Sequence, residues 1–483
     1  MTSARVAVAR SDSVVYPVHP PFDPDEAYPE YHGGRTGAEA NSAYRTVRKS
    51  LLLLGLDAAR AGTADWNPLT GVIRKGDTVL IKPNLVCESR EGNPEEWEQI
   101  ITSGSVVRAV LDYVILALRG SGRILIADSP QSDSDFTSIA ERTALPAIAA
   151  QLQERSGIPI SVTDLRTERW LVRKGVCTGS VALPGDPLGM MLVDLGEASH
   201  FVGAPGSAPF YGAGYDIAET NHCHSEGRHL YEICRSALDA DAIVSIPKLK
   251  THKKCGMTGN LKGFVGLTGR KNFLPHYRIG SPSSGGDQYP DGRSGGAVEN
   301  AMVIRAKRML GSGGGLARIL AGLLKPLAYR VFGQTGTTIR SGNWYGNDTI
   351  WRTVLDLAAI LVYASRDGLL LDHPARRFFC VVDGIIGGDG NGPLDADPHP
   401  AGLILAGESP VLVDAVSSAV TGLNRALPPP VREGFRSPWR LAPCGPEGIE
   451  ILIDGCDSPL GGLSRVPVLS AFRPHFGWIG PFE

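Results

Sequence analysis

Short runs of β-branched and aliphatic residues, each ending abruptly in polar side chains, recur along the chain. They read TVLIKPN at 78–84, RILIADSP at 123–130, ISVTDL at 160–165, AIVSIPKLK at 242–250, FFCVVDGI at 378–385 and GLILAGES at 402–409. Continuous apolar runs of this length suit strands buried on both faces of a parallel sheet. Between them, apolar residues fall at helical spacing. The stretch SGSVVRAVLDYVILALRGSG predicts a helix capped by Ser103 or Ser105 and stopped at Gly120 or Gly122. Residues 134–157 predict a second, broken at Pro146, and 226–240 a third. The segment 347–368 predicts a helix capped by Asn347 or Asp348, and 409–422 one that stops at Gly422.

This alternation predicts an α/β fold, a doubly wound and mostly parallel sheet with helices on both faces. Ligands of such sheets sit beyond the carboxyl ends of the strands. The polar ends of all these strands, from Asn84 to Glu408, are therefore expected on one rim. Residues 277–346 break the pattern with Gly-rich loops around an amphipathic stretch. There Leu316, Ile319, Leu320, Leu323, Leu324, Leu327, Val331 and Phe332 share a face flanked by Arg318, Lys325 and Arg330. The chain thus divides into an α/β core over 1–276, an insertion or lid over 277–346, and a core continuation with a Pro-rich C-terminal wrap over 347–483. The basic helix suits the packing of a lid, and contact with a membrane surface is the competing reading.

Composition changes the picture locally rather than globally. Net charge is −2, so no overall field recruits nucleic acid. Yet no Asp or Glu interrupts residues 242–286, which carry Lys248, Lys250, Lys253, Lys254, Lys262, Arg270, Lys271 and Arg278 among recurrent glycines. Glycine lets backbone N–H groups approach an anion closely. Lys248, Lys250, Lys262 and Lys271 are the expected ligands of a phosphate or carboxylate. Asn84 joins them from its strand end, and Trp344 offers a flat ring face. If Lys250 and His252 lie on one extended run, they point the same way.

His252 and His276 are the candidates for proton transfer, since imidazoles near lysines stay neutral at pH 7. Asp287, in GGDQYP, is a candidate to orient either one. Asp128 and Asp383 are further acid/base candidates at strand ends. Asp383, Asp389 and Asn391 offer hard oxygen ligands for a divalent metal, although Asp, Asn and Gly also dominate turns. His222, His224 and His229 form a second metal candidate. Cys255 is a weaker nucleophile candidate beside Lys254. The eight cysteines include no CxxC pair, so neither an iron–sulfur cluster nor a zinc ribbon is expected. No P-loop, nucleophile-elbow or HExxH motif is present. The N-terminus lacks an apolar signal region, and a cytoplasmic location is expected.

The motifs TVLIKPNLV, ADSP, IPKLKTHKKCGMTGNLKGFVGLTGRK, LPHYRIGSPSSGGDQYP, GNWYGNDTIWRTVLDL, VVDGIIGGDGNGP and SPVLVDAVSSAVTG together resemble the domain of unknown function 362 family (DUF 362). The resemblance implies a fold and a shared cleft, with no established reaction. Some relatives carry a ferredoxin-like iron–sulfur domain, whose cysteine set this chain lacks. A looser likeness, by analogy only, is to nickel-dependent lactate racemases in the style of THKKCGMTGNLKG. The reading that follows is an enzyme acting on a small anionic substrate, carboxylated or phosphorylated, with a divalent metal as an option. A redox or cofactor-bearing protein and a docking module using the basic patch are the alternatives.

Overall fold

The structure, a computed structural model, describes residues 3–33, 36–173, 176–214, 216–292, 301, 336–423 and 427–481. The apolar runs assemble into one sheet of twelve strands among these residues. In chain order they are β1 (Arg5–Arg10), β2 (Thr78–Pro83), β3 (Arg123–Asp128), β4 (Ile160–Asp164), β5 (Ala242–Ile246), β6 (Lys248–His252), β7 (Gly256–Thr258), β8 (Arg377–Asn391), β9 (Asp395–His399), β10 (Leu403–Gly407), β11 (Glu450–Ile453) and β12 (Leu460–Gly461). The order across the sheet is β12-β11-β1-β10-β8-β5-β2-β3-β4. From β8 to β4 every neighbour is parallel, so this half is the doubly wound core that the apolar runs predict.

Both faces are covered because consecutive side chains of a strand point to opposite sides. Val79 and Ile81 of β2 pack with helices α1 (Ser42–Leu53), α2 (Gly104–Leu118) and α3 (Leu145–Ser156). Leu80 packs instead with α4 (Ile350–Tyr363). Helix α5 (Pro410–Val420) covers Val6 and Val8 of β1. Each fully buried Leu, Ile or Val contributes about 1.5–3 kcal/mol, which sets the depth of the core beneath the rim.

Helix boundaries follow local chemistry. Ser103 caps α2 by accepting from Ser105 N–H, and Ser409 caps α5 by accepting from Leu412 N–H. Asn347 Oδ1 accepts from the N–H groups of Thr349 and Ile350 at the start of α4, whereas Asp348 turns to Arg352 and Trp351. The break at 134–157 falls at Ala144, which is left-handed, and Pro146 sits in the first turn of α3 rather than inside a helix.

Three expectations change. Glu408 lies at the opposite rim, because β10 runs antiparallel to β8. Leu230–Cys234 is a strand, not helix, paired antiparallel with Met190–Asp194; only Arg235–Asp239 is helical. Tyr231, Ile233 and Cys234 are fully buried there, so the partner strand outweighs helical spacing. The C-terminal region does more than wrap the surface, since β11 pairs parallel with β1 inside the main sheet. Strands on either side of residues 277–346 share this sheet, with β5 beside β8. The amphipathic stretch Leu316–Phe332 lies outside the described residues.

Candidate functional site

At the carboxyl ends of β2, β3 and β6 the structure opens a cavity of about 220 Å³. Lys82, Asn84, Asp128, Ser129, Lys250, His252, Thr258, Lys262, Gly266, Lys271 and His276 are in its wall. Strand ends and one short helix bring them together. Lys82 is next to last in β2 and Asp128 ends β3, where they form an ion pair of 2.9 Å with side chains only 2% and 5% exposed. Asp128 also accepts from Leu85 N–H at 2.7 Å and Ser129 N–H at 2.8 Å, so its carboxylate is spent on fixing the loops. Gly266 lies flat against this pair: a Cβ there would meet Asp128 Oδ1 at 2.0 Å and Lys82 Nζ at 2.9 Å.

Strand β6 persists as extended backbone, and Lys250 and His252 do line the same cavity. Lys250 Nζ donates to Ile100 O at 2.5 Å and Pro393 O at 3.3 Å. Lys271 Nζ donates to the hydroxyl and carbonyl oxygens of Ser129 at 2.8 and 3.1 Å. Lys262 stands on the short helix Asn260–Gly263, which Asp414 holds by accepting from Asn260 and Leu261 N–H at 2.8 and 3.0 Å. Gly259 permits that contact, since a Cβ would meet the Asp414 carboxylate at 2.4 Å. Among the described residues Lys262 has no hydrogen-bond or ion-pair partner, and the Thr258 hydroxyl is buried without one.

Burial dominates the electrostatics. It draws Lys250 down to about 7 and Lys271 to about 8, and it lowers Lys262 as well. Burial, then the lysines around them, hold both His252 and His276 well below the usual imidazole value, so both are neutral at pH 7. Their hydrogen bonds fix opposite tautomers. His252 Nδ1 accepts from the backbone N–H groups of Lys254 and Cys255 at 3.1 and 3.2 Å, which leaves the proton on Nε2. His276 Nδ1 donates to Leu274 O at 2.9 Å, which leaves a lone pair on Nε2. One imidazole edge is a donor and the other a base.

Other sequence candidates lie elsewhere. Lys248 is fully buried against Asp383 at 2.6 Å, with Tyr16 bonded to both, and Asp383 also accepts from Ser103 N–H at 2.8 Å. This pair braces β6 to β8 within the sheet, outside the cavity. The register shift between Lys248 and Lys250 on β6 separates the two lysines. Asp389 is engaged by Arg473 at 2.7 Å and His399 at 3.3 Å; against the upward push of burial, these partners hold its carboxyl well below the usual range. Asn391 ends β8 in register with Asp395. Asp383 and Asp389 thus have separate cationic partners, a donor set that does not fit one shared ion.

His224 and His229 meet at 3.3 Å in an aromatic nest with Phe201, and His224 Nε2 donates to Phe273 O; burial takes His224 down to about 4. His222 is exposed at the end of the helix Ile217–Cys223. Among the described residues no three His, Cys, Asp or Glu side chains are grouped as a metal would require. Trp344 is buried and donates to Asp287 O. Asp287 bonds Arg278 N–H, Asp348 N–H and the Thr349 hydroxyl rather than either imidazole. Burial pushes the Cys255 thiol up to about 11, which removes it as a nucleophile. Arg270 pairs outside with Glu232 and Glu219.

The sequence reading places Lys82 and Ser129 among the polar strand ends without giving them a role, and Thr258 is not named by it. Lys82 was legible, since it ends TVLIK beside Asn84, but nothing in the chain pairs it with Asp128. No helix among the described residues is long and apolar enough to cross a membrane. No curated protein matches the chain. Residues 208–419 match the family described as a domain of unknown function (DUF362). That segment supplies Lys250, His252, Thr258, Lys262, Lys271 and His276, while Lys82, Asn84 and Asp128 come from before it. Over residues 208–419 the chain is similar to the DUF362 family.

Proposed function

We propose that this protein is an enzyme acting on a small anionic substrate, carboxylated or phosphorylated, bound at the rim cavity. Lys250, Lys262 and Lys271 hold the anionic group. His276 Nε2 takes a proton from the substrate, and His252 Nε2–H donates to the charge that develops. Proton abstraction beside a carboxylate and chemistry at a phosphate both fit these parts. The observation that carries this reading is the convergence of Lys262, unpartnered among the described residues, with two neutral imidazoles of opposite tautomer in one cavity.

Burial of Lys82 and Lys250, with Lys262 and Lys271 half-buried beside them, favours a small ligand over a docking partner. Lys82 and Lys250 are no more than 2% exposed, whereas a surface patch for a macromolecule presents its cations to solvent.

The test is exchange in heavy water. The protein is incubated in D2O with a pool of small carboxylated and phosphorylated molecules, and masses are followed over time. At least one member is expected to gain deuterium or change composition. His276→Gln should slow that change by roughly 10²–10⁴-fold, the usual range for a general base. No change in any member, or equal rates with His276→Gln, would contradict the assignment.

A further inference from the structure

We propose that the group held among these lysines is a phosphoryl dianion on a small phosphorylated molecule, not a carboxylate. The inference rests on the anionic-substrate reading above and narrows it. Its basis is the number of donors that the cavity leaves without acceptors.

Each lysine ammonium carries three protons. Lys250 places two of them on the carbonyls of Ile100 and Pro393, and Lys271 two on Ser129. The remaining contact of Lys271, to Thr268 O at 3.5 Å, is too long to satisfy its third proton. Lys262 brings an ammonium with no partner among the described residues. The Thr258 hydroxyl is buried and unbonded, although the residue is only 4% exposed. His252 adds Nε2–H, and the Asn84 side-chain amide lines the same wall without a partner among the described residues.

A carboxylate has two oxygens and about four lone-pair sites, and they lie in one plane. It cannot take up these protons, and each buried donor left over costs about 1–3 kcal/mol. A phosphoryl group presents three terminal oxygens in a tetrahedral arrangement and a charge of about −1.5 to −2. That geometry also suits donors that arrive from several directions, from β2, β6, β7 and the Asn260–Gly263 helix. Charge agrees: the wall carries Lys82, Lys250, Lys262 and Lys271 against the single carboxylate of Asp128. The cavity volume of about 220 Å³ lies below the ~300–1,000 Å³ of drug-sized sites, so the phosphorylated molecule is small.

A dianion also stabilises the charged forms of Lys250 and Lys271, which burial has drawn down to about 7 and about 8. Binding near neutral pH therefore takes up protons from solution.

The experiment is isothermal titration of the full chain with inorganic phosphate and, separately, with malonate, a dicarboxylate of similar charge. Both are run at pH 7.5 in two buffers of different ionisation enthalpy. Phosphate is expected to bind at least tenfold more tightly than malonate, with heats that depend on the buffer as proton uptake requires. Lys262→Met and Thr258→Val should each weaken phosphate by tenfold or more while leaving the melting temperature close to that of the parent, since neither side chain has a bond to lose. Malonate binding as tightly as phosphate and weakened by Lys262→Met would overturn the phosphoryl assignment and leave the anionic-substrate reading standing. Binding of neither anion, or binding unaffected by both substitutions, would overturn the two together.

Discussion

His252 and His276 line one cavity with their imidazoles locked in opposite tautomers, the first by two backbone N–H donors to Nδ1 and the second by donation of Nδ1–H to Leu274 O. Burial and neighbouring lysines keep both neutral. Nitrogen-15 spectra of the imidazoles at pH 6.5 are expected to show the proton on Nε2 of His252 and on Nδ1 of His276. Neither ring should titrate between pH 5.5 and 8, around the ordinary ~6.5. A midpoint near that value for either ring, or the same tautomer in both, would contradict the assignment. The sign for stability follows from proton counts. Below about pH 6.5 the unfolded imidazoles bind protons that the folded ones refuse, so stability contributed by these groups falls as pH drops.

The lysines act on the alkaline side. With Lys250 at about 7 and Lys271 at about 8 in the fold, and ~10.4 when unfolded, the unfolded chain holds more protons in between. Stability of the ligand-free protein from these groups therefore rises from about pH 7 toward pH 10. Bound phosphate favours the charged lysines and should reverse the trend. The gain in melting temperature from 20 mM phosphate, about that concentration being ample to show the effect, is expected to be larger at pH 7 than at pH 9. A gain that grows with pH would refute this.

Lys248 and Asp383 answer a different question from the cavity lysines. Both are fully buried and paired at 2.6 Å. Lys248→Met is expected to destabilise by about 3–5 kcal/mol, because it strands a buried carboxylate. Adding Asp383→Asn should recover part of that loss. Chemical denaturation measures both, and the folded fraction of Lys248→Met should keep its phosphate affinity. A neutral effect on stability together with lost binding would place Lys248 in the site after all.

Asp414 holds the turn that carries Lys262, accepting from Asn260 N–H, Asn260 Nδ2 and Leu261 N–H. Asp414→Ala leaves these buried donors unsatisfied, at about 1–3 kcal/mol, and frees the Asn260–Gly263 helix. Both the urea midpoint and phosphate affinity should fall. Unchanged affinity in the folded variant would mean that Lys262 is not positioned through Asp414.

Much of the fold was legible because the signals were local. TVLI, RILIA and AIVSI have no polar interruption, and two-sided burial in a parallel sheet is the environment that such runs need. Ser103 and Ser409 were readable as caps for the same reason. Strand direction was not, so Glu408 was assigned to the wrong rim: a β8–β10 hairpin connection and a parallel crossover leave the same apolar strand behind. Leu230–Cys234 misled because its partner, Met190–Asp194, lies far away in sequence. In the site, Lys250 and His252 were readable from alternation along one strand. The withdrawal of Lys248 was not, because it depends on a register shift and on Asp383, 135 residues away. Lys82 and Thr258 lie within the quoted motifs, but their spacing assigns them no task; only the folded rim gives them a role.

The most direct test of the cavity as an anion site is diffraction from crystals of the full chain soaked in selenate, a tetrahedral dianion with an anomalous signal. The expected result is a peak within hydrogen-bond distance, about 3 Å, of Lys262 Nζ and Thr258 Oγ, lost in Lys262→Met crystals. An empty cavity at saturating selenate, or a peak only on exposed arginines such as Arg270, would contradict the central claim.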